Sequence, residues 1–388
     1  MLYFRVGTGL YRLLTVISIV GEYPVKKLEL LGTKRSMREL VLKLTRPQIY
    51  KNMETGDAYQ CELLSVSGKG SLKTIRLRQE GLQMLHWLYP GAYDYYMMAT
   101  NHHTFSGTMV ERIHRIAEAL AIAMMAGYEI RPGMLPSLLL DHKENIISYP
   151  SFYTSIELKQ INILETDKTQ FSRMVGALIG NGCGICVYNI RSSKMKWRSG
   201  GEIKARVSLE SVCKMNSDIT DCSSCIMIGE SEETAMRTMM SEDPRTFGRG
   251  TLLDVYRHIH FIPLSKDGII QLTLMNHPLW REKLLDAFFR KDLQADNSQT
   301  IDCDAVDENG LYILNHMDAD LVRLRRFYFG IEGKKGMILC FEHQREFLEK
   351  FMEGRAMVRA VEPRLVENAM KLKFFSHTEF FYPPEEMN

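Results

Sequence analysis

Two cysteine pairs in the chain have the spacing that zinc sites use. Cys183 and Cys186 form one C-x2-C pair, and Cys222 and Cys225 form another after 35 intervening residues. Four thiolates can bind one zinc ion when both pairs sit on tight turns. Each pair leads directly into an apolar stretch, VYNI or IMIG, and a strand would point its successive side chains to opposite faces. Buried free thiols are therefore the favoured interpretation, with a zinc site as the alternative.

A second pattern could support Mg²⁺-dependent hydrolysis of a phosphodiester. Restriction-endonuclease-like folds place an acid on one strand and Glu-x-Lys on the next, where the carboxylates bind Mg²⁺ and the lysine helps to orient water. LLLD supplies Asp141, and SIELK supplies Glu157 and Lys159. Because Glu-x-Lys occurs twice more, at 202–204 and 332–334, the pattern is not specific. A nuclease-like scaffold without activity is favoured over an active nuclease, and both stay open.

A third pattern involves histidine and tyrosine. His258-Ile-His260 has the form of the metal motif of relaxases, which also need a tyrosine nucleophile. Tyr256 lies too close to act from a separate helix, so YRHIHFIPL is better explained as a strand with both histidines on one face. The glycines of GALIGNGCG match neither a P-loop nor G-x-G-x-x-G. The sequence therefore predicts no cofactor.

The charge is distributed unevenly along the chain. Residues 1–80 hold 14 lysines and arginines against 7 acids, whereas the remaining chain holds 35 against 40. The net charge of +2 conceals this difference. A basic N-terminal unit on a mildly acidic body is typical of nucleic-acid binding, although a solvated basic face is an equally good interpretation of charge alone.

The basic unit contains predicted helices and a hairpin. GLYRLLTVISIV, PVKKLELLG and SMRELVLKLT are predicted helices, the third capped by Ser36 with Glu39 three residues later. AYQCELLSV and LKTIRLRQ are predicted strands around the turn SGKG. This order is that of a winged helix, in which the third helix enters the major groove and the hairpin follows the phosphate backbone. A winged helix that docks proteins is the alternative.

Residues 1–90 are thus predicted to be a winged helix-turn-helix domain that binds double-stranded DNA. Arg76 and Arg78 should share one strand face, with Ile75 and Leu77 on the other face toward the core. The first-choice DNA contacts are Arg38 and Lys43 on the third helix and Lys69, Lys73, Arg76 and Arg78 on the hairpin, with Arg35 and Arg46 as second choices.

The rest of the chain is predicted to be a connector and a larger α/β domain. Residues 91–134 hold an aromatic connector and the amphipathic helix TMVERIHRIAEALAIAMMAGYE, with Glu118 on its polar side; core packing is favoured over dimerisation for this helix. Residues 135–388 alternate strands and helices and end in a helical tail. The predicted strands are PSLLLD, YTSIELKQI, CGICVYNI, SSCIMIGES and GIIQLTLM, and the predicted helices are TQFSRMVGALIG, GEIKARVSLESVCKM and SEETAMRTMMSE.

No apolar run approaches the roughly 18 residues that a membrane span needs. The best candidate, YRLLTVISIV, carries Arg12 and is followed by no small-residue cleavage site. We therefore expect a cytoplasmic protein that does not enter a membrane.

Several stretches resemble the replication-relaxation family of plasmids and integrative conjugative elements. They are LVLKLTRPQIYKNMETGDAYQCELLSVSGKGSLKTIRL, HHTFSGTMVERIHRIAEAL, FSRMVGALIGNGCGICVYNIRSSKMKW and CIMIGESEETAMRTM, within about residues 10–280. The resemblance implies a winged helix on an α/β body that acts in plasmid replication or DNA relaxation for transfer. It implies no catalytic residues.

These observations predict a double-stranded DNA-binding accessory protein of a mobile element. Its expected partners are DNA and replication or transfer proteins of the same element, with a homodimer as a further expectation. The alternatives are a Mg²⁺-dependent nuclease that uses Asp141, Glu157 and Lys159, and a transcriptional repressor of element genes.

Overall fold

The chain folds as a mixed α/β protein. The computed structural model describes residues 5–51, 55–100, 107–130, 150–160, 173–193, 199–216, 219, 221–240, 252–295 and 300–370. Asp141 and the predicted strand PSLLLD lie outside these residues. Within the described residues, strands and helices alternate through the body, as the sequence predicts.

The N-terminal unit begins with helices joined by a short strand. Its first elements are helix α1 (Gly9–Val20), strand β1 (Glu22–Pro24), a 3-10 helix (Val25–Leu30) and helix α2 (Lys34–Leu44). Gly21 ends α1 in the left-handed conformation, which glycine adopts without steric cost. The prediction that Ser36 caps α2 is wrong, because the Thr33 hydroxyl accepts a hydrogen bond from the Ser36 N–H at 3.3 Å.

Two hairpins complete the N-terminal unit. Their strands are β2 (Gln48–Lys51), β3 (Ala58–Cys61), β4 (Leu64–Ser67) and β5 (Thr74–Leu77). The β2–β3 hairpin was not predicted, whereas the predicted β4–β5 hairpin is present and joins β1 in an antiparallel sheet of order β1–β5–β4. Gly68 starts the β4–β5 turn with φ +83°, and a Cβ there would lie 2.5 Å from the Leu72 carbonyl oxygen. The turn therefore requires glycine at this position.

Helix α5 joins the N-terminal unit to the body. It follows helix α3 (Leu82–Leu88), helix α4 (Pro90–Tyr95) and one π-helical turn (Tyr96–Thr100), and it spans Thr108–Met125. The helix contacts α1 and β1 on one side and the next sheet on the other. The predicted polar side of α5 is also covered, so Glu118 on that side is only 1% exposed.

The body is built on a five-stranded mixed sheet of order β10–β9–β8–β7–β6. Strands β6, β7 and β8 run antiparallel, and β8, β9 and β10 run parallel. Helices α5 and α9 pack on one face, and α7 and α8 pack on the other. The elements are β6 (Ser151–Thr154), α6 (Ser155–Gln160), β7 (Gly176–Gly180), β8 (Cys183–Arg191), α7 (Ser199–Asn216), β9 (Asp221–Gly229), α8 (Glu232–Met240), β10 (His258–Pro263) and α9 (Lys266–Met275).

A second sheet of order β11–β12–β13–β14 continues the body, with β12, β13 and β14 parallel. The segment after β12 lies beside β10, where the Phe261 N–H donates to the Ala319 carbonyl at 3.0 Å. The elements are α10 (Trp280–Phe288), β11 (Ala305–Val306), β12 (Tyr312–Asn315), α11 (Leu321–Gly330), β13 (Gly336–Cys340), α12 (Glu342–Met352), β14 (Ala356–Ala360) and α13 (Pro363–Met370).

Three predicted elements of the body have the wrong type. SIELK is helical in α6, GALIG is strand β7, and GIIQLTLM is helix α9. Strand β7 and helix α9 are buried on nearly all sides, so neither shows the alternation of apolar and polar residues that separates a strand from a helix. The predicted strands in CGICVYNI and SSCIMIGES and the predicted helices α7 and α8 are confirmed.

The apolar cores lie on the two faces of the five-stranded sheet. One buried cluster runs from α1 through α5 to the face with Leu178, Ile226 and Ile262. A second cluster fills the opposite face and extends under the four-stranded sheet. The N-terminal unit and the body therefore share one core across α5. In the described part of the chain, no helix is both long and apolar enough to cross a bilayer.

Candidate functional site

Four cations at or after helix α2 point into solvent. Arg38 and Lys43 are exposed on α2, and Arg46 is exposed just beyond its end. Arg35 is also exposed, but its Nε lies 3.0 Å from Oε1 of Glu39 one turn later. Among the described residues, Arg38, Lys43 and Arg46 form no ion pair. The apolar face of α2 is buried, so packing fixes the direction of its basic face.

The β4–β5 turn carries two further exposed cations. Lys69 lies before a short 3-10 helix, Gly70–Leu72, and Lys73 follows it. Both lysines are exposed, and neither forms an ion pair within the part of the chain that the structure describes. Their ammonium groups are therefore available to an anionic ligand.

Arg76 faces the interior. Its guanidinium holds the carboxylate of Glu22, which is fully buried, with Nη2–Oε2 at 2.5 Å and Nε–Oε2 at 2.6 Å. The buried imidazole of His114 on α5 lies on the same side, its Nε2 3.4 Å from Glu22 Oε1. Arg76 thus neutralises a buried acid between the sheet and α5, as one would expect for a structural ion pair.

Arg78 also forms an ion pair, although it lies nearer the surface. Its Nη2 lies 2.7 Å from Oε2 of Glu62, and its side chain is 43% exposed. The four hairpin cations that the sequence groups together therefore divide into two exposed lysines and two ion-paired arginines. Sequence alone cannot make this division, because the acids come from β1 and from the residue directly after β3.

The predicted nuclease residues do not form a carboxylate pair on strands. Glu157 sits in the first turn of α6, where its Oε2 accepts hydrogen bonds at 2.7 Å from both the N–H and the hydroxyl of Thr154. This is the geometry of a helix cap. Burial raises the pKa of Glu157 to about 7. Asp141 lies outside the described residues, and so does the side chain of Lys159.

The cysteines lie on two neighbouring strands. Cys186 of β8 is opposite Cys225 of β9, whereas Cys183 is opposite Asp221. Among the described residues, these four sulfurs do not come within ligand distance of one another as a group. Burial raises the pKa of Cys186 to about 12 and that of Cys183 to about 11. A hydrogen bond with Cys213 lowers the pKa of Cys222, whereas burial also raises the pKa of Cys225. The geometry of the four sulfurs does not support a zinc site.

The predicted strand that carries His258 and His260 is confirmed as β10, and the two rings lie on one face, nearly parallel, with centroids 6.2 Å apart. Tyr256 is buried in the opposite core, and its hydroxyl lies 2.7 Å from that of Tyr188. Burial raises the pKa of Tyr256 well above its ordinary value. A buried, protonated phenol is not a nucleophile for DNA, so Tyr256 does not supply the nucleophile that a relaxase needs.

Both histidines line a cleft of about 310 Å³ between the sheet and α10. His258 Nδ1 lies 2.7 Å from Oδ2 of Asp320, and this hydrogen bond raises the pKa of His258. His260 Nδ1 lies 3.1 Å from the carbonyl oxygen of Asp318. The sequence analysis missed these two aspartates. Their only signal is the polar run HMDAD directly after an apolar strand.

Two further buried carboxylates of the body, those of Glu118 and Asp304, are held by arginine. Glu118 accepts hydrogen bonds from Asn189 Nδ2 at 2.9 Å, Arg191 Nε at 3.0 Å and Arg191 Nη2 at 2.8 Å. Asp304 is held by Arg323 at 3.0 Å and by Arg281 at 3.3 Å. Each of these carboxylates has at least one arginine partner.

No protein-family model, no curated protein and no solved structure matches the chain. The resemblance to the replication-relaxation family therefore stays a prediction. What the chain does has to follow from the exposed cations, the buried charges and the cleft.

The division of the hairpin cations predicts unequal effects on stability. Arg76→Met should lower the free energy of unfolding by about 3–5 kcal/mol, because it leaves Glu22 buried without its guanidinium. Arg78→Met should cost less than about 1 kcal/mol, since its ion pair is partly exposed. Chemical denaturation followed by fluorescence measures both. Adding Glu22→Gln to Arg76→Met should recover most of the loss, and equal effects of the two single variants would show that Arg76 has no special structural role.

The buried cap of α6 predicts a pH dependence. Because the pKa of Glu157 is raised from 4.5 to about 7, the folded state holds a proton that the unfolded state releases, and Glu157 costs stability as pH rises through this interval. The free energy of unfolding of Glu157→Gln should therefore rise relative to that of the wild type by up to about 3 kcal/mol between pH 4.5 and pH 7. Above pH 7 the difference should stay constant.

Unfolding curves from pH 4 to pH 8 provide the measurement. Gln keeps an oxygen that can accept the Thr154 hydrogen bonds, so the variant should fold. The control is Glu282→Gln, on the exposed rim of the cleft. Its free energy of unfolding should change with pH as that of the wild type does. A constant difference between Glu157→Gln and the wild type at every pH would contradict the prediction.

Proposed function

We propose that this chain binds double-stranded DNA through its N-terminal unit, which acts as a winged helix. The observation that carries the proposal is the set of exposed cations on α2 and on the β4–β5 turn without an acidic partner in the described residues. The order helix, strand, 3-10 helix, helix and hairpin, with the antiparallel sheet β1–β5–β4, supports the winged-helix assignment.

Helix α2 is the proposed groove helix. It buries Met37, Val41 and Leu44, and this anchoring would hold the opposite face toward DNA at a fixed angle. Arg38 and Lys43 are the proposed contacts on that face, with Arg35 and Arg46 at its ends. Arginine can read guanine with two hydrogen bonds, whereas lysine mainly neutralises phosphate.

The β4–β5 turn is the proposed phosphate contact. Lys69 and Lys73 supply two charges to the backbone of DNA, and such contacts give affinity and register without sequence information. Arg76 and Arg78 are assigned a different role here, since Glu22 and Glu62 already take up their charges. Affinity should therefore depend on the lysines more than on the arginines.

The body is proposed to be a restriction-endonuclease-like scaffold without nuclease activity. Three antiparallel strands followed by a helix and a parallel strand, β6 to β9, support the scaffold. The role of Glu157 as a helix cap, and the absence of strand carboxylates beside it in the described residues, speak against the Mg²⁺-dependent nuclease.

The biological role proposed is that of an accessory protein in replication, relaxation or transfer of a mobile element. The resemblance to the replication-relaxation family supports it. The proposal includes a cytoplasmic location, a homodimer, and replication or transfer proteins of the same element as partners. A repressor of element genes would share the DNA-binding unit but would need a defined palindromic site.

A salt series tests the DNA-binding proposal. Binding of a labelled duplex is measured by fluorescence anisotropy from 50 to 300 mM KCl, where log K should fall linearly with log salt at about −0.9 per phosphate contact. Removing four contacts should make the slope shallower by up to about 4. The variant carries Ala at Arg38, Lys43, Lys69 and Lys73.

The control removes the same charge elsewhere on the chain. It carries Ala at four exposed lysines of the body, Lys283, Lys291, Lys334 and Lys335. Its slope should match that of the wild type. Equal slopes for the two quadruple variants, or no duplex binding by the wild type at 50 mM salt, would overturn the proposal. Duplex left intact after addition of Mg²⁺ supports the inactive scaffold, and cleavage would restore the nuclease.

A further inference from the structure

We propose that His260, Asp318 and Asp320 bind a divalent transition-metal ion at the edge of the cleft. One ring nitrogen of His260 and one oxygen from each aspartate lie within 4.8 Å of one another. All three residues are buried, at 8%, 2% and 1% exposure. This site does not depend on DNA binding by the N-terminal unit.

The fold brings the three ligands together from distant parts of the sequence. His260 lies on β10, and the two aspartates lie in the segment between β12 and α11, which runs beside β10 through an antiparallel bridge between His260 and Asp320. Asp320 also caps α11, where its Oδ1 accepts from the N–H of Val322 at 3.1 Å. Backbone hydrogen bonds thus fix the positions of the ligands before any ion is bound.

The charge balance points independently to a cation. Asp318 and Asp320 are two adjacent buried carboxylates, and in the described chain neither forms an ion pair with lysine or arginine. The guanidinium of Arg323 interacts electrostatically with both aspartates, but its hydrogen bonds go to Asp302 at 2.9 Å and to Asp304 at 3.0 Å. Asp304, the third buried acid, has two arginines. Two buried negative charges without such partners are costly, and a divalent cation would balance them.

The surroundings of the ligands fit metal binding. His260 Nδ1 lies 3.1 Å from the carbonyl oxygen of Asp318, and His258 Nδ1 lies 2.7 Å from Oδ2 of Asp320. Hydrogen bonds of this kind orient metal-ligating imidazoles and carboxylates, and losing one typically lowers metal affinity 10–100-fold. The cleft of about 310 Å³, which Asp318 and both histidines line, gives the ion an entry path.

The ligand set selects the class of ion. One imidazole with two carboxylates suits Mn²⁺, Fe²⁺ or Zn²⁺, whereas Mg²⁺ and Ca²⁺ prefer oxygen ligands alone. Three protein ligands leave coordination positions for water on the side of the cleft, as in catalytic rather than structural zinc sites. The cleft would therefore hold an ion with an exchangeable water.

Calorimetric titration of the metal-free full-length protein with MnCl₂ or ZnCl₂ tests the proposal, together with the electron paramagnetic resonance spectrum of bound Mn²⁺. One ion per chain should bind, at least about 10-fold more tightly than Mg²⁺. Asp318→Asn should weaken binding at least about 10-fold, and His258→Gln should weaken it about 10–100-fold without removing a ligand. Glu282→Gln, at the rim of the same cleft, should bind like the wild type.

Thermal unfolding separates loss of the site from loss of the fold. Without metal, Asp318→Asn should melt at or above the wild-type temperature, because it removes one of two neighbouring buried carboxylates that have no lysine or arginine ion pair. With Mn²⁺, the wild type should gain stability and the variant should not. Binding that survives Asp318→Asn, or that Cys222→Ser abolishes instead, would overturn the proposal. So would the absence of any binding.

Discussion

Two buried carboxylates, one on β1 beside α5 and one on α5 itself, lie where the N-terminal unit meets the body. Glu22 of β1 meets Arg76 and His114 on one side of the helix, and Glu118 meets Asn189 and Arg191 on the other. A buried acid is tolerated only when its partners are held in place, so the hydrogen bonds of Glu118 to Asn189 and Arg191 hold α5 against β8. The N-terminal unit is therefore held on the body partly by a carboxylate that is buried between α5 and β8.

The same pairing decides which cations can act on a ligand. The excess of positive charge in the first 80 residues is a property of the sequence, but part of it is used inside the fold. Arg76 and Arg78 neutralise Glu22 and Glu62, and Lys27 reaches Glu230 of the body at 3.2 Å. The charge available outside is smaller than the count of basic residues, and it is concentrated on α2 and one turn. Local charge is thus an upper limit on the strength of an electrostatic interface.

What the sequence predicts well is local, and what it misses depends on tertiary contacts. The hairpin turn, β8, β9 and α7 follow from nearby residues, since glycine and capping positions and apolar runs define them. The cap at Thr154 and Glu157 could also have been found, because T-x-x-E is a helix-start signature that competes directly with a strand over SIELK. Strand β7 and helix α9 could not, because burial on nearly all sides removes the periodicity that separates the two states. Asp318 and Asp320 form a site only because the fold places them beside His260 of β10, which lies some 60 residues earlier in the chain.

Four buried acids of the body have two kinds of partner, arginine or histidine. The kind of partner determines which of these acids can take part in chemistry. Asp304 is held by two arginines, and Glu118 is held by Arg191 and Asn189, which makes both carboxylates fixed structural groups. Asp318 and Asp320 face histidines, whose nitrogens can bind a proton or a metal ion and release it again. Arginine does neither, because it stays protonated and offers no lone pair. Chemistry in this body is therefore expected at the histidine side of the cleft and not where Glu118 of α5 meets Asn189 and Arg191 of β8.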